Sequence, residues 1–403
     1  MNLPLQKVCD IYDLFEPEID SILRDELRSI PFGSRRAWEF AMIFRALASK
    51  GKLNPAAQGL AMGAGTEKLI YAIVPRVAKT MVTDLYLPNS GWVGVRTDNP
   101  RDLILQKAPW PIDAQKVDAM AMDMRKLDFP DESFDFCWST GSFEHIGRDE
   151  DFLRHFSEVE RVLKPGGVYA FTTAITFGGV TEPIPHNYYF DPNHLIDLIH
   201  ASPLHAEPVF DCFVRDHIFN RPHPERLQDY GFDPGRKFSK PIVSFRRGVL
   251  LAANVMVLTK DAGRAKVRPQ VRGLEESRKR LTSQADGYLR DLWSEFQYLQ
   301  TTAEKGGLSI QPQVFGNGAA LIDVIIPRGG PEKLKWTVKH RPISGSVTWK
   351  TLQTGKLTAN DSTFRFETKR DHLYSIKLSN PLSAKLSNAA ADLSRVVVKA
   401  KSA

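Results

Sequence analysis

The sequence predicts an α/β chain in which a doubly wound, seven-stranded sheet precedes a smaller domain of antiparallel strands. In residues 59–86 an apolar strand, a Gly-x-Gly turn, a helix and a second apolar strand follow one another. Apolar strands and helices continue to alternate as far as residue 260, which is typical of parallel sheets covered by helices. After Gly306 the apolar period changes to two, which indicates short strands with one buried face.

Composition and periodicity divide the 403-residue chain into four predicted segments. Residues 1–55 have apolar residues at helical spacing and form N-terminal helices. Residues 56–262 hold the doubly wound sheet, and residues 263–305 form a charged linker helix. Residues 306–403 form a basic, β-sandwich-like domain. The linker keeps fewer than three apolar heptads, so it predicts either a homo-oligomer or a helix that packs on its own chain.

Charge and cysteine content narrow the classes of function. The net charge is +7, and Lys and Arg outnumber Asp and Glu mainly after residue 305, so an anionic partner is expected to meet the C-terminal domain. Cys9, Cys137 and Cys212 form no CxxC pair, which argues against a zinc site and a disulfide framework. The sequence shows neither a signal-peptide pattern nor an apolar run long enough to span a bilayer. A cytoplasmic protein is expected.

The turn at Gly63 and Gly65 predicts a site for an adenosine-containing cofactor. Glycine lets the backbone bend sharply close to a ligand, and the following helix directs free N–H groups at the same point. Asp84 ends the next apolar strand, about 20 residues on, where a βαβ unit places the carboxylate that holds a ribose. Glu67 argues against NAD, because its carboxylate would repel a pyrophosphate but would tolerate a cationic sulfonium or ammonium group.

Further motifs follow this turn in a fixed order. Asp123 comes after an apolar run, and then come LDFPDESFDFCWSTGSFEHIG at residues 127–147 and KPGGVYAFTT at residues 164–173. Together with the turn, this order resembles the class I S-adenosylmethionine-dependent methyltransferases of the small-molecule type, with their FPDxSFD, EHI and LKPGG signature. The resemblance spans residues 56–260. It implies a Rossmann-like core whose closing strands, 208–213 and 250–258, form an antiparallel pair.

The resemblance implies S-adenosylmethionine as the cofactor and assigns residues to it. These are Gly63, Ala64 and Gly65 under the methionine part, Asp84 at the ribose, Asp123 and Met124 at the adenine, and Ser139 with Thr140 at the methionine end. Two positions depart from the family pattern: Ala61 replaces a usual acidic residue, and Glu67 replaces the usual third glycine. We therefore expect Glu67 to bind the cofactor's ammonium group.

The N-terminal helices are implied to cover the cofactor site. Arg36, Trp38 and Glu39 are the candidate contacts from these helices, and the alternative for Trp38 is core packing. In the C-terminal domain, Trp336 and Trp349 are candidates either for carbohydrate contact or for core packing.

His145, His186 and Asp191 are the candidates for catalysis. Methyl transfer to a hydroxyl requires alignment of the reacting atoms and a general base within hydrogen-bond reach. His145 is the first choice because imidazole titrates near neutrality; the alternative is that it only orients the following helix. His186 and Asp191 lie in a polar-aromatic insert that either binds the acceptor or forms an ordinary loop in which Asp191 caps a helix. Since no motif fixes ligand spacing for His186, Asp191 and His194, no metal is expected.

The sequence therefore predicts a methyltransferase that O-methylates a sugar or glycan precursor of a surface polysaccharide. The acceptor prediction rests on the aromatic insert, the appended β-domain and the resemblance to bacterial methyltransferases. One alternative is methylation of a nucleic acid or a protein, although no RNA-module signature is present. Another is a non-catalytic binding protein on a methyltransferase scaffold, which only Ala61 and Glu67 support.

Overall fold

The computed structural model describes most of the chain up to residue 295 and the strands beyond it. The described residues are 3–30, 35–86, 95–184, 187–224, 242–246, 249–261, 263, 265–295, 301–304, 307–313, 320–325, 333–342, 348–358, 363–369, 372–379 and 397–402. The chain divides into two compact units. The first comprises residues 1–220, 240–242 and 251–278, and the second comprises residues 221–239, 243–250 and 279–403.

The helices and strands have the following bounds. The helices are α1 (Pro17–Ser21), α2 (Arg35–Ser49), α3 (Lys68–Ile73), α4 (Pro100–Gln106), α5 (Asp149–Val162), α6 (Pro192–Ala201) and α7 (Leu274–Glu295). The first strands are β1 (Lys7–Val8), β2 (Gln58–Met62), β3 (Lys79–Asp84), β4 (Val117–Ala121), β5 (Phe134–Thr140), β6 (Leu163–Thr176), β7 (Glu182–Ile184), β8 (Asn187–Tyr189), β9 (His205–Ala206), β10 (Val209–Asp211), β11 (His223–Pro224), β12 (Val243–Arg246), β13 (Val249–Thr259) and β14 (Gln270–Arg272). The C-terminal strands are β15 (Thr301–Glu304), β16 (Gly307–Gln313), β17 (Ala320–Ile325), β18 (Lys333–Pro342), β19 (Lys350–Thr358), β20 (Thr363–Glu367), β21 (His372–Ser379) and β22 (Val397–Ser402).

The large sheet of the first unit runs in the order β14-β10-β1-β13-β6-β5-β2-β3-β4. The strands from β6 to β4 are parallel, and β13 is antiparallel to β6. This arrangement confirms the predicted doubly wound α/β class. Chain order changes direction between β2 and β5, and such a reversal opens a crevice at the carboxyl ends of the strands. The candidate site lies at this edge.

A short first strand changes the predicted closure of the sheet. Strands β10 and β13 do not pair with each other as predicted, because β1 lies between them. Lys7 is opposite Asp211 in the parallel pair and opposite Val255 in the antiparallel pair. A strand of two residues is too short to show a period in the sequence, and residues 1–55 were expected to be helical throughout.

Buried polar contacts join this first strand to helix α2. The Lys7 ammonium group pairs with the Asp13 carboxylate, and the Trp38 indole N–H donates to the other Asp13 oxygen at 2.8 Å. Trp38 is fully buried. Trp38 is therefore a core residue, and it does not contact the candidate site.

In the second unit, the described C-terminal strands form two antiparallel sheets. Their orders are β15-β16-β21-β18-β19 and β20-β17-β22. Trp336 of β18 stacks on Phe364 of β20 with ring centroids 4.2 Å apart, so side chains of the two sheets share one apolar core. Trp349 lies instead under the Arg341 guanidinium group, 5.1 Å from it. The side chains of Tyr288, Leu292 and Leu299, which complete the linker heptads, lie outside the described residues.

A helix that crosses a bilayer needs about 20 predominantly apolar residues. Among the described residues, no helix is both long enough and apolar enough to cross a membrane.

Candidate cofactor and active site

The turn between β2 and α3 forms the base of the candidate site. Gly63 and Gly65 have φ angles of 59° and 51°, a region where a side chain strains the backbone. A Cβ on Gly63 would lie 2.6 Å from Ser142 Cβ, and one on Gly65 would lie 2.9 Å from Val95 Cγ1. The Ser142 hydroxyl also donates to the Gly63 carbonyl at 2.7 Å. The turn is therefore closed against the loop after β5, and Ala64 lies buried between the two glycines.

Asp84, at the end of β3, faces this turn. Its Oδ2 accepts from the Gly65 N–H at 2.9 Å, and its Oδ1 accepts from the Leu85 N–H at 2.7 Å. Burial raises the pKa of Asp84, although both backbone hydrogen bonds oppose the rise. Because each carboxylate oxygen has two lone pairs, both oxygens can still accept a hydroxyl. This arrangement fits the two hydroxyls of a ribose.

Glu67 lies just before α3, and its side chain turns toward β5. Its Oε1 accepts from the Trp138 indole N–H at 2.8 Å and from the Thr140 hydroxyl at 3.2 Å. Burial raises the pKa of Glu67 to about 8, against these hydrogen bonds and the charge of Arg36. Both donors hold the same oxygen, so Oε2 is available to a ligand that carries a positive charge.

Helix α2 places the Arg36 guanidinium group next to Thr140, the residue that also contacts Glu67. Arg36 Nη1 donates to the Thr140 carbonyl at 3.1 Å and lies 2.8 Å from Glu39 Oε2. A Cβ on Gly141 would lie only 2.7 Å from Arg36 Nη1. Thr140 therefore holds Glu67 through its hydroxyl and Arg36 through its carbonyl. Glu39, Glu67 and Glu144 raise the pKa of Arg36, whereas burial opposes the rise.

Contacts on both sides fix the loop that contains Asp123 and Met124, the two residues predicted to lie at the adenine. The Asp123 carboxylate forms a salt bridge with Arg125 at 2.6 Å, and this contact is the main reason that the pKa of Asp123 is lowered. Arg125 also donates to the Ile146 carbonyl at 2.9 Å. Met124 is buried, and its carbonyl lies 2.8 Å from His155 Nδ1. The loop thus holds an ionised carboxylate and a buried apolar side chain close together.

Ser139 lies on the opposite face of β5 from Glu67. Successive residues of a strand point to opposite faces, and Trp138 and Thr140 are the residues that reach Glu67. Ser139 is fully buried. The structure thus brings Thr140, rather than Ser139, to the Glu67 side of the sheet.

His145 ends a short 3₁₀ helix, Phe143–His145, directly after the loop. It is partly exposed, and its backbone N–H donates to the Ser142 carbonyl at 3.1 Å. The neighbouring Glu144 is buried, and its Oε2 accepts from the Thr173 hydroxyl at 3.0 Å. His145 therefore lies at the carboxyl edge of the sheet, beside a buried carboxylate.

The other two catalytic candidates lie in the insert after β6. His186 is outside the described residues. Asp191 caps α6 through the Asn193 N–H at 2.9 Å, and its Oδ2 pairs with Arg278 at 2.9 Å. Both carboxylate oxygens of Asp191 are thus engaged within the fold. Among the described residues, no group of three or more His, Cys, Asp or Glu side chains is arranged to hold a metal ion.

Comparison with known proteins identifies the domain that carries this site. A family model described as a methyltransferase domain matches residues 60–171. This segment holds the glycine turn, Asp84, Asp123 and the loop after β5. The chain carries a methyltransferase domain. S-adenosylmethionine is its cofactor, as the motifs predicted.

Several solved structures are similar to part of this chain at low identity and low TM-score. The protein BH2331 from Bacillus halodurans C-125 is 16% identical, with 55% of this chain and 99% of that chain covered at a TM-score of 0.37. An S-adenosylmethionine-dependent methyltransferase from Methanosarcina mazei is 16% identical, with 54% and 98% covered at 0.34. The N-methyltransferase NodS from Bradyrhizobium japonicum WM9 is 13% identical, with 57% and 97% covered at 0.35. No curated protein matches the chain.

The residues of the methyltransferase domain fit the cofactor chemically. The positions of Gly63 and Gly65 have no room for a side chain. The Asp84 carboxylate suits a ribose, and Glu67 provides a carboxylate for a cationic group. Trp138 was missed as the partner of Glu67, although strand alternation from Thr140 would have placed both residues on one face. Asp149 and Thr181, which flank His194, were also missed. No local sequence signal joins these two residues, because they lie on different elements.

Proposed function

We propose that this methyltransferase transfers the methyl group of S-adenosylmethionine to a hydroxyl of a sugar or glycan. The observation that supports this acceptor is the position of the polar-aromatic insert. The Phe190 N–H donates to the Ala174 carbonyl at 3.1 Å, and the Thr176 N–H donates to the Phe190 carbonyl at 2.8 Å. The insert therefore lies beside the last residues of β6, on the side of β6 that β5 occupies further back and beyond the end of β5.

The side chains of this insert suit an acceptor rich in hydroxyls. Tyr188 lies beside His194, with ring centroids 6.3 Å apart, and the Asn187 amide donates to the Tyr189 hydroxyl at 2.8 Å. Amide, phenol and imidazole groups exchange hydrogen bonds with sugar hydroxyls, and aromatic rings offer apolar faces to sugar rings. The insert follows the β-strand that flanks the cofactor loop, where loops carry specificity in such folds.

On the cofactor side, each proposed contact follows from charge and position. Asp84 accepts the ribose hydroxyls, Glu67 binds the ammonium group, and Arg36 lies next to it to pair with the carboxylate of the methionine end. Asp123 and Met124 flank the adenine. When bound, the cofactor supplies a methyl group on a sulfonium, so the chain has to align the acceptor, exclude water and remove a proton.

Calorimetric titration with S-adenosylmethionine and S-adenosylhomocysteine tests the cofactor part of this proposal. We expect micromolar binding by the wild type, which corresponds to about −8 kcal/mol, and loss of binding in Asp84→Ala. Asp118→Ala is the matched control, because Asp118 lies on the neighbouring strand and pairs with Lys79. Absence of binding by folded wild-type protein would contradict the proposal and favour a non-catalytic scaffold.

A screen with methyl-labelled cofactor tests the acceptor part. Sugar nucleotides and glycans are expected to incorporate the label, whereas peptides and nucleic acids are not. Labelling confined to nucleic acid or protein would replace the proposed acceptor with the alternative.

An anionic partner of the second unit and dimerisation through α7 also remain proposals. Support for the first comes from β18 and β19, where the exposed Lys335 and Lys356 are directly opposite. Positive charge concentrated on one part of a surface favours an anionic partner.

A further inference from the structure

Asp149, His194 and Thr181 form a line of hydrogen-bonded groups at the insert. His194 Nε2 lies 3.0 Å from Asp149 Oδ2, and His194 Nδ1 lies 2.7 Å from the Thr181 hydroxyl. The three residues come from different elements, namely the start of α5, the first turn of α6 and the residue before β7. Residues so far apart in the sequence meet here with each polar atom directed at the next.

The chemistry of the partners assigns the protons along this line. An ionised carboxylate only accepts hydrogen bonds, so His194 Nε2 carries the hydrogen that Asp149 receives. In the neutral ring Nδ1 is then an acceptor, and the Thr181 hydroxyl donates to it. The Thr181 oxygen also accepts from the Asp191 N–H at 2.9 Å. Thr181 therefore retains one lone pair, which can accept a proton from a ligand.

Two features of the surroundings orient the Asp149 carboxylate. Asp149 is the first residue of α5, where the helix dipole stabilises a negative charge. Its Oδ1 accepts from the Tyr188 hydroxyl at 3.0 Å. Burial, together with Asp149, raises the pKa of Tyr188 to about 12, so the phenol keeps its proton and remains a donor. Of the other charged neighbours, Glu150 also raises the pKa of Tyr188, whereas Arg148 lowers it.

The line of groups is open to solvent at the edge where the acceptor has to approach. The His194 side chain is 30% exposed and that of Asp149 is 46% exposed, and Thr181 is partly exposed. Thr181 follows the carboxyl end of β6, and Asp149 follows the loop after β5. The Gly141 N–H of that loop donates to the Thr172 carbonyl of β6 at 3.1 Å, which joins the two strand ends.

We propose that Thr181, His194 and Asp149 form the proton path that deprotonates the acceptor hydroxyl, an inference that rests on the proposed function. The acceptor O–H proton passes to Thr181 Oγ1 while the Thr181 proton passes to His194 Nδ1. The freed oxygen electron pair forms the bond to the methyl carbon as the sulfur–methyl bond breaks, which leaves a neutral thioether. The imidazolium that results is stabilised by Asp149 and later loses its proton to solvent.

The same contacts would also serve simply to tie α5 to α6. Thr181→Val removes the hydroxyl at nearly constant volume, whereas Thr181→Ser retains it. A structural tie predicts that Thr181→Val loses stability without a specific loss of transfer, and that Thr181→Ser keeps both. A proton path predicts that Thr181→Ser stays close to the wild type, whereas Thr181→Val loses the chemical step.

The first test needs no acceptor. In nitrogen-15 histidine spectra of the full chain, His194 is expected to be the Nε2–H tautomer, with an Nδ1 resonance that shifts in Thr181→Val. His200→Gln, on the exposed face of the same helix, assigns a neighbouring signal and should leave that of His194 unchanged. The opposite tautomer, or an Nδ1 signal insensitive to Thr181→Val, would overturn the proposal.

The second test uses the sugar compound that the wild type methylates in the screen. Thr181→Val and His194→Gln should lower single-turnover transfer by about 100-fold, within the range of general-base effects. S-adenosylhomocysteine affinity and the thermal midpoint, measured in parallel, should stay close to the wild type. Wild-type transfer by Thr181→Val would overturn the proton path, whereas absence of cofactor binding by the wild type would instead overturn the proposed function.

Discussion

The two units of this chain bury polar groups in different ways. In the first unit, Glu39, Glu67 and Glu144 surround one guanidinium group, that of Arg36. In the second unit, aliphatic and aromatic side chains form an apolar cluster, and the buried Asp323 carboxylate is paired with the Arg365 guanidinium group at 2.5 Å. An apolar core stabilises a fold through burial alone, whereas buried carboxylates cost stability unless they are paired. The comparison indicates that the first unit gives up stability at its site in order to bind a ligand.

The largest predicted change in the free energy of unfolding concerns the apolar core of the second unit. Trp336→Ala should destabilise the second unit by about 4 kcal/mol, because it removes a buried ring that stacks on Phe364. Guanidinium unfolding followed by circular dichroism measures the loss. Trp349→Ala is the matched control, since Trp349 is partly exposed and its contact with Arg341 is worth about 1 kcal/mol. S-adenosylhomocysteine affinity should not change in either variant, and equal destabilisation by both would contradict the assignment of Trp336 to the core.

The sequence predicted those parts of the site that are local in the chain. The strand, turn, helix and strand from residue 58 to residue 84 follow one another, and their periods and glycines can be recognised directly. The contact of Glu67 with Trp138 joins residues that are 71 positions apart, so it depends on which strands become neighbours. Strand β1 has only two residues and therefore no period to recognise. Likewise, no spacing rule relates Asp149 to His194.

The second prediction concerns a buried histidine of the first unit. His155 is fully buried, its Nδ1 lies 2.8 Å from the Met124 carbonyl, and its Nε2 lies 2.9 Å from the Tyr169 hydroxyl. Burial lowers the pKa of His155 to about 4. The unfolded chain therefore binds a proton that the folded chain excludes. The contribution of His155 to the free energy of unfolding should be complete above pH 6.5. It should fall by about 3 kcal/mol as the pH decreases to 4.

Urea unfolding between pH 7 and pH 4 measures this effect. In His155→Gln the curve of stability against pH should be flatter than that of the wild type over this interval. His205→Gln, which removes a partly exposed histidine, should keep the wild-type slope. If His155→Gln also kept that slope, acid sensitivity would have to come from the carboxylates of the site rather than from His155.

The smallest predicted free-energy change is the loss of cofactor affinity at Glu67, a residue that also tests what the site costs in stability. Burial raises the pKa of Glu67 to about 8, so between pH 4.5 and pH 8 the folded chain holds a proton that the unfolded chain has lost. The stability of the cofactor-free protein should therefore decrease as the pH rises through this interval. Glu67→Gln should remove that decrease and weaken cofactor binding by about 2 kcal/mol, the value of a hydrogen bond to a charged group.

Calorimetry in two buffers of different ionisation enthalpy separates the two effects of Glu67. An ammonium group that binds the carboxylate must displace its proton, so the wild type should release a proton on binding at pH 7 and Glu67→Gln should not. Glu160→Gln is the matched control, because Glu160 lies on α5 and pairs with Lys260. Unchanged affinity in Glu67→Gln would mean that the ammonium group is bound elsewhere. The buried carboxylate would then be a cost to stability without a compensating role in binding, and the contrast between the two units would lose its functional meaning.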